Sequence, residues 1–437
     1  MQLKSENGSA LVTVLILIAT LMVISNALLT AYVLHNRLAR KEFNRLRAFY
    51  LAEAGIYKTL WYLSGHEGHD LFWRPSDERI EVIDDETVEI TVQEWGGFLE
   101  VISKANYKKQ QQKLRVLIGQ NLPASFYQAI IIGGVDFPLV VTGTNQIIGD
   151  VTVGAGGVKT GVIKGIKFYG NKPVDGKIHR QSPPQMPFFD PHFFSRAIKR
   201  FNQWLENPPD FQYFFVQGRM NSATLKDSLL SKPGIIFCKG NLNLYGSAKF
   251  VNPVQIIVQG KIEISDEVFF NNALIFSRQK IVLSGHVRGS LQLITPGDII
   301  LQENVQLQYP SVLFTSGRKV ENRWTGSIKI KKGSRVTGTV ILMEVIPDSF
   351  KQISRAGQIS VNSGAQVTGL IYSTNRATIN GRVHGMVITN HFYLYETPTT
   401  YINWLKDAYI NRKKLGSGFK LPLFFSNPPS LEIVIWE

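Results

Sequence analysis

Cysteine is nearly absent from this sequence, since Cys238 is the single one in 437 residues. An internal disulfide is therefore excluded, and the fold must be stable without covalent cross-links. Cys238 directly follows the apolar residues Ile235-Ile236-Phe237. This setting predicts a buried, unreactive thiol.

Acidic residues are also scarce, with 33 Asp and Glu against 48 Lys and Arg and a net charge of +15. Between Gly234 and His391 the only aspartates are Asp266, Asp298 and Asp348. Glycosidic cleavage needs two convergent carboxylates, and no such pair is evident. We predict that the chain is not an enzyme and has no catalytic, cofactor-binding or metal-binding residues. An envelope carbohydrate-active enzyme on a β-helix scaffold is the alternative.

Histidine forms only weak site patterns. His66 and His69 flank Glu67 in a polar connector, but zinc needs further ligands that this connector does not supply. His286 and His384 follow similar strand patterns, and we predict that they face solvent in turns instead of forming a catalytic pair.

The basic residues are spread over the chain in small groups, the longest being Arg412-Lys413-Lys414. A net positive charge favours association with polyanions, but no nucleic-acid-binding motif accompanies these groups. A solvated surface is the default interpretation. The alternative is a DNA-uptake or adhesion subunit that uses the basic surface.

One long apolar run is present. Residues 9–34 contain no charge, and as a helix they would extend about 39 Å, enough to cross a hydrocarbon core of about 30 Å. Apolar residues then recur at three- and four-residue steps, which predicts that the helix continues with one apolar face. These residues are Phe43, Leu46, Phe49/Tyr50, Ile56, Leu60 and Leu63, with Gly65 as the expected end.

This N-terminus resembles that of type IV pilin-like proteins, specifically the PilX-type minor pilins. The matching features are a charged leader that ends in Gly8, the apolar run that begins at Ser9, and Arg47-Ala-Phe-Tyr-Leu-Ala-Glu-Ala-Gly55. The resemblance implies that prepilin peptidase cuts between Gly8 and Ser9 and leaves the helix in place. It also implies other pilin-like subunits as partners. Major pilins carry Glu at the fifth mature position, where this chain has Thr13, so ordinary polymerisation is in doubt.

Two other readings of the N-terminus stay open. A conventional secretory signal could be cut after Ser25-Asn26-Ala27, or the span could be a plain membrane anchor. The charges also raise a conflict. Basic residues at 37, 40, 41, 45 and 47 follow the span, and by the positive-inside rule they would place the C-terminal side in the cytoplasm, whereas a pilin requires the opposite.

The period of the apolar residues changes from 3.6 to 2 after the helix. Alternation such as Val88/Ile90/Val92, with Gly96-Gly97 as a turn, predicts a small antiparallel β-meander over residues 79–119. Residues 1–8 would then be the leader, and residues 9–64 the membrane-spanning and amphipathic helix.

A loose repeat over residues 129–395 predicts a single-stranded parallel β-helix. Most units have a short strand, a polar turn, then Val-x-Gly and further apolar residues, as in Val367-Thr-Gly369 and Val383-His-Gly385, while degenerate copies that end at Val268 and Val305 lack the Gly. A unit of 16–19 residues is the size of one coil, and Gly suits a corner where a side chain would clash. The key valines lie at positions 268, 287, 305, 336, 367 and 383.

Two segments depart from the repeat. Residues 188–208 are predicted to form a helical insertion with Asp190 as its cap and an apolar stripe. This stripe, of Phe194, Ile198, Phe201 and Leu205, would pack on the flank of the β-helix or meet a partner in a projecting module. Residues 396–437 are assigned to a C-terminal cap, with a short helix at 401–412 and a strand at 431–436.

The predicted fold is therefore mainly β with a long N-terminal helix, a small antiparallel meander and a parallel β-helix. We expect a single-pass protein of the cytoplasmic (inner) membrane, with its bulk periplasmic or extracellular, in a pilus or at the cell surface. Prepilin peptidase, other pilin-like subunits and membrane lipid are the expected partners, with polysaccharide or DNA as further candidates and no small-molecule substrate.

Overall fold

A computed structural model describes residues 7–64, 76–83, 86–134, 137–182, 185–187, 192–208, 213–215, 218–221, 234–320, 323–343, 357–423 and 430–436. The chain divides into two compact units. The first comprises residues 1–93, 101–116 and 436–437, and the second comprises residues 94–100 and 117–435.

A long helix and a small antiparallel sheet follow each other at the start of the chain. Helix α1 is Asn7–Ser64, and the sheet order is β1-β2-β3-β4-β33. Its strands are β1 Ser76–Ile83, β2 Glu86–Trp95, β3 Phe98–Tyr107, β4 Gln110–Gln120 and β33 Leu431–Trp436. The predicted meander is confirmed, with its turn at Gly96-Gly97, and the last strand of the chain adds to its edge.

Most of the rest of the second unit is a parallel β-helix, to which two antiparallel pairs are added, residues 318–320 with 323–325 and residues 393–396 with 399–402. A 3-10 turn at Ala124–Phe126 precedes its first strands, which are β5 Ile130–Ile132, β6 Leu139–Thr142, β7 Gln146–Ile148, β8 Val151–Val153, β9 Val158–Thr160 and β10 Ile178–Arg180. After helix α2 (His192–Glu206) come β11 Tyr213–Phe215, β12 Gly218–Asn221, β13 Gly234–Cys238, β14 Leu242–Tyr245, β15 Ala248–Phe250, β16 Val254–Val258, β17 Lys261–Ile264 and β18 Val268–Ser277. The later strands are β19 Lys280–Leu283, β20 Arg288–Thr295, β21 Asp298–Leu301, β22 Gln306–Thr315, β23 Arg318–Val320, β24 Arg323–Thr325, β25 Ser327–Ile330, β26 Arg335–Leu342, β27 Gln358–Val361, β28 Gln366–Ile379, β29 Arg382–Glu396, β30 Thr399–Ile402, β31 Trp404–Lys406 and β32 Tyr409–Asn411.

Parallel ladders form three faces, on which strands of successive coils pair in register. Face A runs through β13, β16 and the second halves of β18, β20 and β22, and continues to β29. Face B runs through β14, β17, β19, β21, β25 and β27 to the end of β28. Face C runs through β15 and the first halves of β18, β20, β22, β26, β28 and β29. The six key valines are all buried in the interior, at most 1% exposed.

The coils are not stacked in sequence order. Strand β5 pairs on one side with β29 and on the other with β8, so the first coil in the sequence lies against the last one. The segment after β29 belongs to the same stack, because β31 pairs with β6 and β32 pairs with β7. These pairings place the residues around 404–411 between other coils.

The helix predicted at 401–412 is wrong, because this stretch forms β30, β31 and β32. Asn403 and Asp407 adopt φ angles of 57° and 55°, and the chain turns at each of them. Asn403 is anchored there, since the backbone N–H of Phe392 donates to its Oδ1 at 3.0 Å. Because the corner residues Asn403 and Asp407 are four positions apart, the sequence has the same spacing that one face of an α-helix would have.

Helix α2 packs on the flank of the β-helix, as one of the two readings of its apolar stripe predicts. The Phe201 ring lies 5.1 Å from that of Phe276 on face A, and the Phe194 ring stacks on Phe314 at 3.6 Å. Arg278 adds a hydrogen bond from its Nε to Asn202 Oδ1 at 2.6 Å. The projecting module is therefore wrong, while the predicted Asp190 cap lies outside the described residues.

Candidate membrane anchor and assembly helix

The first half of α1 is an exposed apolar rod. Its residues from Ala10 to His35 are all exposed, with Leu11 at 69% and Val23 at 70%. Among the helices that the structure describes, α1 alone is long and apolar enough to cross a membrane. The 58 residues of α1 extend about 87 Å, so the helix is much longer than a bilayer crossing requires.

Thr20, a polar residue within the rod, has hydrogen-bond partners in its own helix. The hydroxyl of Thr20 donates to the carbonyl oxygens of Ile16 at 3.0 Å and Leu17 at 2.9 Å. This back-bonding satisfies the hydroxyl inside its own helix, which lowers the free energy needed to place it in hydrocarbon.

The second half of α1 is buried along a face that combines small residues with Leu51, Ile56 and Leu63. Ala48, Ala52 and Ile56 are 0% exposed, and the Thr59 hydroxyl donates to the Gly55 carbonyl at 2.7 Å. A Cβ at position 55 would lie 2.7 Å from Val88 Cγ2 and 2.8 Å from Ser103 Oγ, so strands β2 and β3 approach the helix backbone closely. The small residues of the 47–55 motif thus allow the sheet to lie close to the helix backbone.

The sheet covers only part of the apolar face predicted for this half. Ile56 and Leu63 are buried, but Phe43, Leu46 and Tyr50 are 62%, 47% and 60% exposed. Large side chains define the predicted face, whereas a flat sheet packs most closely where side chains are short. The large residues therefore remain on the uncovered side of α1 and continue the apolar surface of the rod.

The predicted processing residues lie at the start of the helix. Helix α1 begins at Asn7, so Gly8 and Ser9 are in its first turn, and Thr13 follows one turn later. Cleavage between Gly8 and Ser9 stays a prediction.

Comparisons with known proteins address this helix directly. A family profile described as PilX N-terminal matches residues 7–56, which include the apolar rod and the small-residue motif. The N-terminal helix is type IV pilin-like. No curated protein sequence matches the chain.

Solved structures give remote likenesses. The crystal structure of the competence-associated pilin ComZ from Thermus thermophilus is similar at 10% identity and a TM-score of 0.23, covering 90% of this chain and 97% of that one. The ice-binding protein LeIBP from an Arctic yeast is similar at 12% identity and a TM-score of 0.20, covering 64% of this chain and 97% of that one.

The other candidate residues lie apart from the pilin-like helix. Cys238 is buried at 0% exposure, as predicted. His286 is exposed in a turn, whereas His384 is half-buried within β29, so its prediction as a turn residue is wrong. His66 and His69 lie outside the described residues. Within the described ranges, no cluster of three or more His, Cys, Asp or Glu side chains could hold a metal ion.

Proposed function

We propose that this chain is a membrane-anchored, pilin-like minor subunit that displays its β-helix outside the cytoplasmic membrane. The observation that carries the proposal is the two-sided character of α1. Its face around Ala48 and Ala52 is covered by the sheet, while many of its large apolar residues between Leu11 and Trp61 stay exposed. An exposed rod of this kind partitions into lipid, or packs with other pilin-like helices, because either removes apolar surface from water.

The residues at the start of α1 have separate roles in this proposal. Prepilin peptidase cuts between Gly8 and Ser9 and leaves the apolar rod at the new N-terminus. Thr13 stands where major pilins have a carboxylate, so this subunit lacks the charge that pairs with a neighbour's terminal amine. A minor position in a filament, or one at its tip, fits that difference.

Processing is tested by N-terminal sequencing of the full chain extracted from membranes that contain prepilin peptidase. The proposal expects Ser9 as the first residue. Gly8→Val adds a branched side chain at the bond to be cut and should leave the leader attached, whereas Ser5→Val, with the same branched side chain three residues earlier, should still be cut. A wild-type chain that begins at Met1 or at Leu28 would overturn the proposal.

The orientation of the chain in the membrane is tested by labelling an introduced cysteine, because the single native cysteine is buried and should not react. Cys238 is buried, whereas Lys329 is exposed on face B. Lys329→Cys should react with a membrane-impermeant maleimide in cells whose outer barrier is open but whose cytoplasmic membrane is intact. Labelling that requires a permeabilised cytoplasmic membrane would instead support the orientation indicated by the positive-inside rule.

A further inference from the structure

Face C carries a line of arginines in strand register. Arg288, Arg335 and Arg382 are exposed, and each is separated from the next by one coil. The intervening coils place Gln306 and Gln366 in the same column. We name these five residues the arginine column. Neighbouring strands lie about 4.8 Å apart, so its cations recur about every 10 Å along a straight line.

Further cations extend the arginine column at both ends. Lys249 pairs in register with Phe269, which in turn pairs with Arg288. At the other end Arg382 pairs with Tyr409, and Lys414 Nζ lies 5.4 Å from the Tyr409 ring.

Carboxylates do not neutralise this line. Among the described residues, no Asp or Glu side chain forms an ion pair with Arg288, Arg335 or Arg382. Glu267 and Glu303 lie in the turns that precede face C, and Lys331 and Lys332 lie in the corresponding turn of the coil after Glu303.

The neighbouring titratable groups respond to this positive potential. Burial lowers the pKa of His384, and the nearby charges of Lys414 and Arg382 lower it further. The pKa of Tyr409 is lowered by its hydrogen bond with Asn411 and then by Lys414 and Arg382, which favour the phenolate.

We propose that the arginine column binds an acidic polysaccharide in which charged and uncharged sugars alternate. Arginine binds carboxylates through two parallel hydrogen bonds. Gln306 Nε2 donates to the Gly333 carbonyl at 3.0 Å, and Gln366 Nε2 donates to Thr368 Oγ1 at 3.3 Å. A side-chain amide has two N–H donors and an acceptor oxygen, so each glutamine can also bind the hydroxyl groups of an uncharged sugar. The alternation of Arg and Gln thus matches an alternation in the ligand.

Charge spacing favours this ligand over nucleic acid. A DNA strand carries one negative charge about every 3.4 Å, roughly three times as densely as the column presents cations. Proteins that bind single strands also stack bases on aromatic side chains. The aromatic residues in register with the column, Phe269 and Tyr409, lie only beyond its two ends.

Contact with polysaccharide outside the cell rests on the proposed orientation, whereas binding by the purified protein does not. Failure of the maleimide test would therefore leave the binding result standing, and the reverse also holds.

The experiment measures binding of fluorescently labelled hyaluronate oligosaccharides to the full chain in mild detergent. Carboxyl-reduced hyaluronate is the neutral control ligand, and single- and double-stranded oligonucleotides are the competing polyanions. Arg335→Gln should weaken hyaluronate binding about three- to fivefold, as expected for one exposed ion pair. Lys329→Gln removes the same charge from face B of the same coil and should change binding less than twofold.

Removing all three arginines sharpens the result. Arg288→Gln, Arg335→Gln and Arg382→Gln together should weaken binding at least about 30-fold, because separated sites contribute almost additively. The control is a triple variant, Lys113→Gln, Lys199→Gln and Lys329→Gln, which removes three exposed positive charges outside the column and should retain binding. Equal thermal midpoints for the two triple variants would show that a loss of binding is not a loss of fold.

Three results would overturn the proposal: no binding of hyaluronate, equal binding by the arginine triple variant and the wild type, or equal binding of the carboxyl-reduced ligand. Stronger binding of an oligonucleotide that depends on the same arginines would assign the column to nucleic acid instead. Gln306→Arg with Gln366→Arg tests the spacing, since a cation on every rung should improve oligonucleotide binding more than hyaluronate binding. Equal improvement of both would contradict the spacing argument.

Discussion

The glycine corners between face C and face A provide the sharpest test of the fold. Gly369 has a φ of 141°, and a Cβ there would overlap with the Gly338 carbonyl oxygen and lie 2.9 Å from the Gly338 carbonyl carbon. Gly338 and Gly385 repeat this arrangement, at φ angles of 151° and 153°. Each corner thus rests on the backbone of the preceding coil, with no room for a side chain.

Gly369→Ala should therefore destabilise the β-helix strongly. An L-residue in the left-handed region costs about 1–2 kcal/mol, and overpacking of a close-packed site costs about 1–3 kcal/mol more. The combined loss of about 2–5 kcal/mol is a large part of the roughly 5–15 kcal/mol by which domains are stable. Gly240→Ala is the matched control, because no atom lies within 4 Å of its added Cβ and its φ is not in the left-handed region.

The assay is urea unfolding of the full chain in mild detergent, followed by tryptophan fluorescence. Gly369→Ala should shift the unfolding midpoint to markedly lower urea, while Gly240→Ala should change the free energy of unfolding by less than about 0.5 kcal/mol. Equal midpoints for the two variants would refute the idea that backbone contact between coils is what requires glycine.

Two further predictions concern other parts of the chain. Gly55→Leu should detach the sheet from α1 and lower the unfolding midpoint by the equivalent of at least about 1–3 kcal/mol, since even its Cβ would lie 2.7 Å from Val88 Cγ2. Tyr57→Leu is the control, because position 57 is 52% exposed, and it should leave the sheet attached and the unfolding midpoint unchanged. Limited proteolysis would detect the difference, since a detached sheet is cut more readily. Burial raises the pKa of Tyr309 from 10.0 to about 12, so its contribution to stability is complete below pH 10 and is lost as the pH rises toward 12. Between pH 10 and 12 the free energy of unfolding should therefore fall less for Tyr309→Phe than for the wild type. Tyr395→Phe, at an exposed position, is the control and should behave like the wild type. Urea unfolding at each pH measures the difference.

Local periodicity made much of the fold predictable. The uncharged run at residues 9–34 and the change from period 3.6 to period 2 identify the long helix and the meander without knowledge of distant contacts. The β-helix was also predictable, because each coil repeats a buried valine, and most coils follow it with a glycine at the corner. Gly369 and Gly385 meet that requirement through contacts with the coil directly before them.

The covered face of α1 could not be predicted in the same way. Phe43 and Leu46 have more apolar surface to bury than Ala48 and Ala52, yet the alanines are the buried residues, because close approach of the sheet decides the contact. The run of small residues in the 47–55 motif was the available signal. Its meaning depends on a flat partner that the helix sequence alone does not reveal.

The arginine column was hidden for a different reason. Its members are separated by 18, 29, 31 and 16 residues, so insertions of unequal length remove any period from the sequence. Strand register restores the line, since an insertion at a turn changes chain length without changing which residues pair. On such a scaffold a functional pattern is found by comparing residues that pair on neighbouring strands, not residues that are close in the sequence.

The stacking order adds a constraint that no repeat pattern contains. Strand β5 pairs with β29, some 257 residues later by its register of Ile130 with Val387. In a simple solenoid each coil can fold against a sequence neighbour, and stability accumulates along the chain. Here β5, β6 and β7 in the coils at 130–180 pair with β29, β31 and β32. They gain these partners only when the segment from β29 to β32 is in place. Because closing so long a loop is entropically unfavourable, these coils should complete the stack late, after the chain that supports the arginine column has already formed.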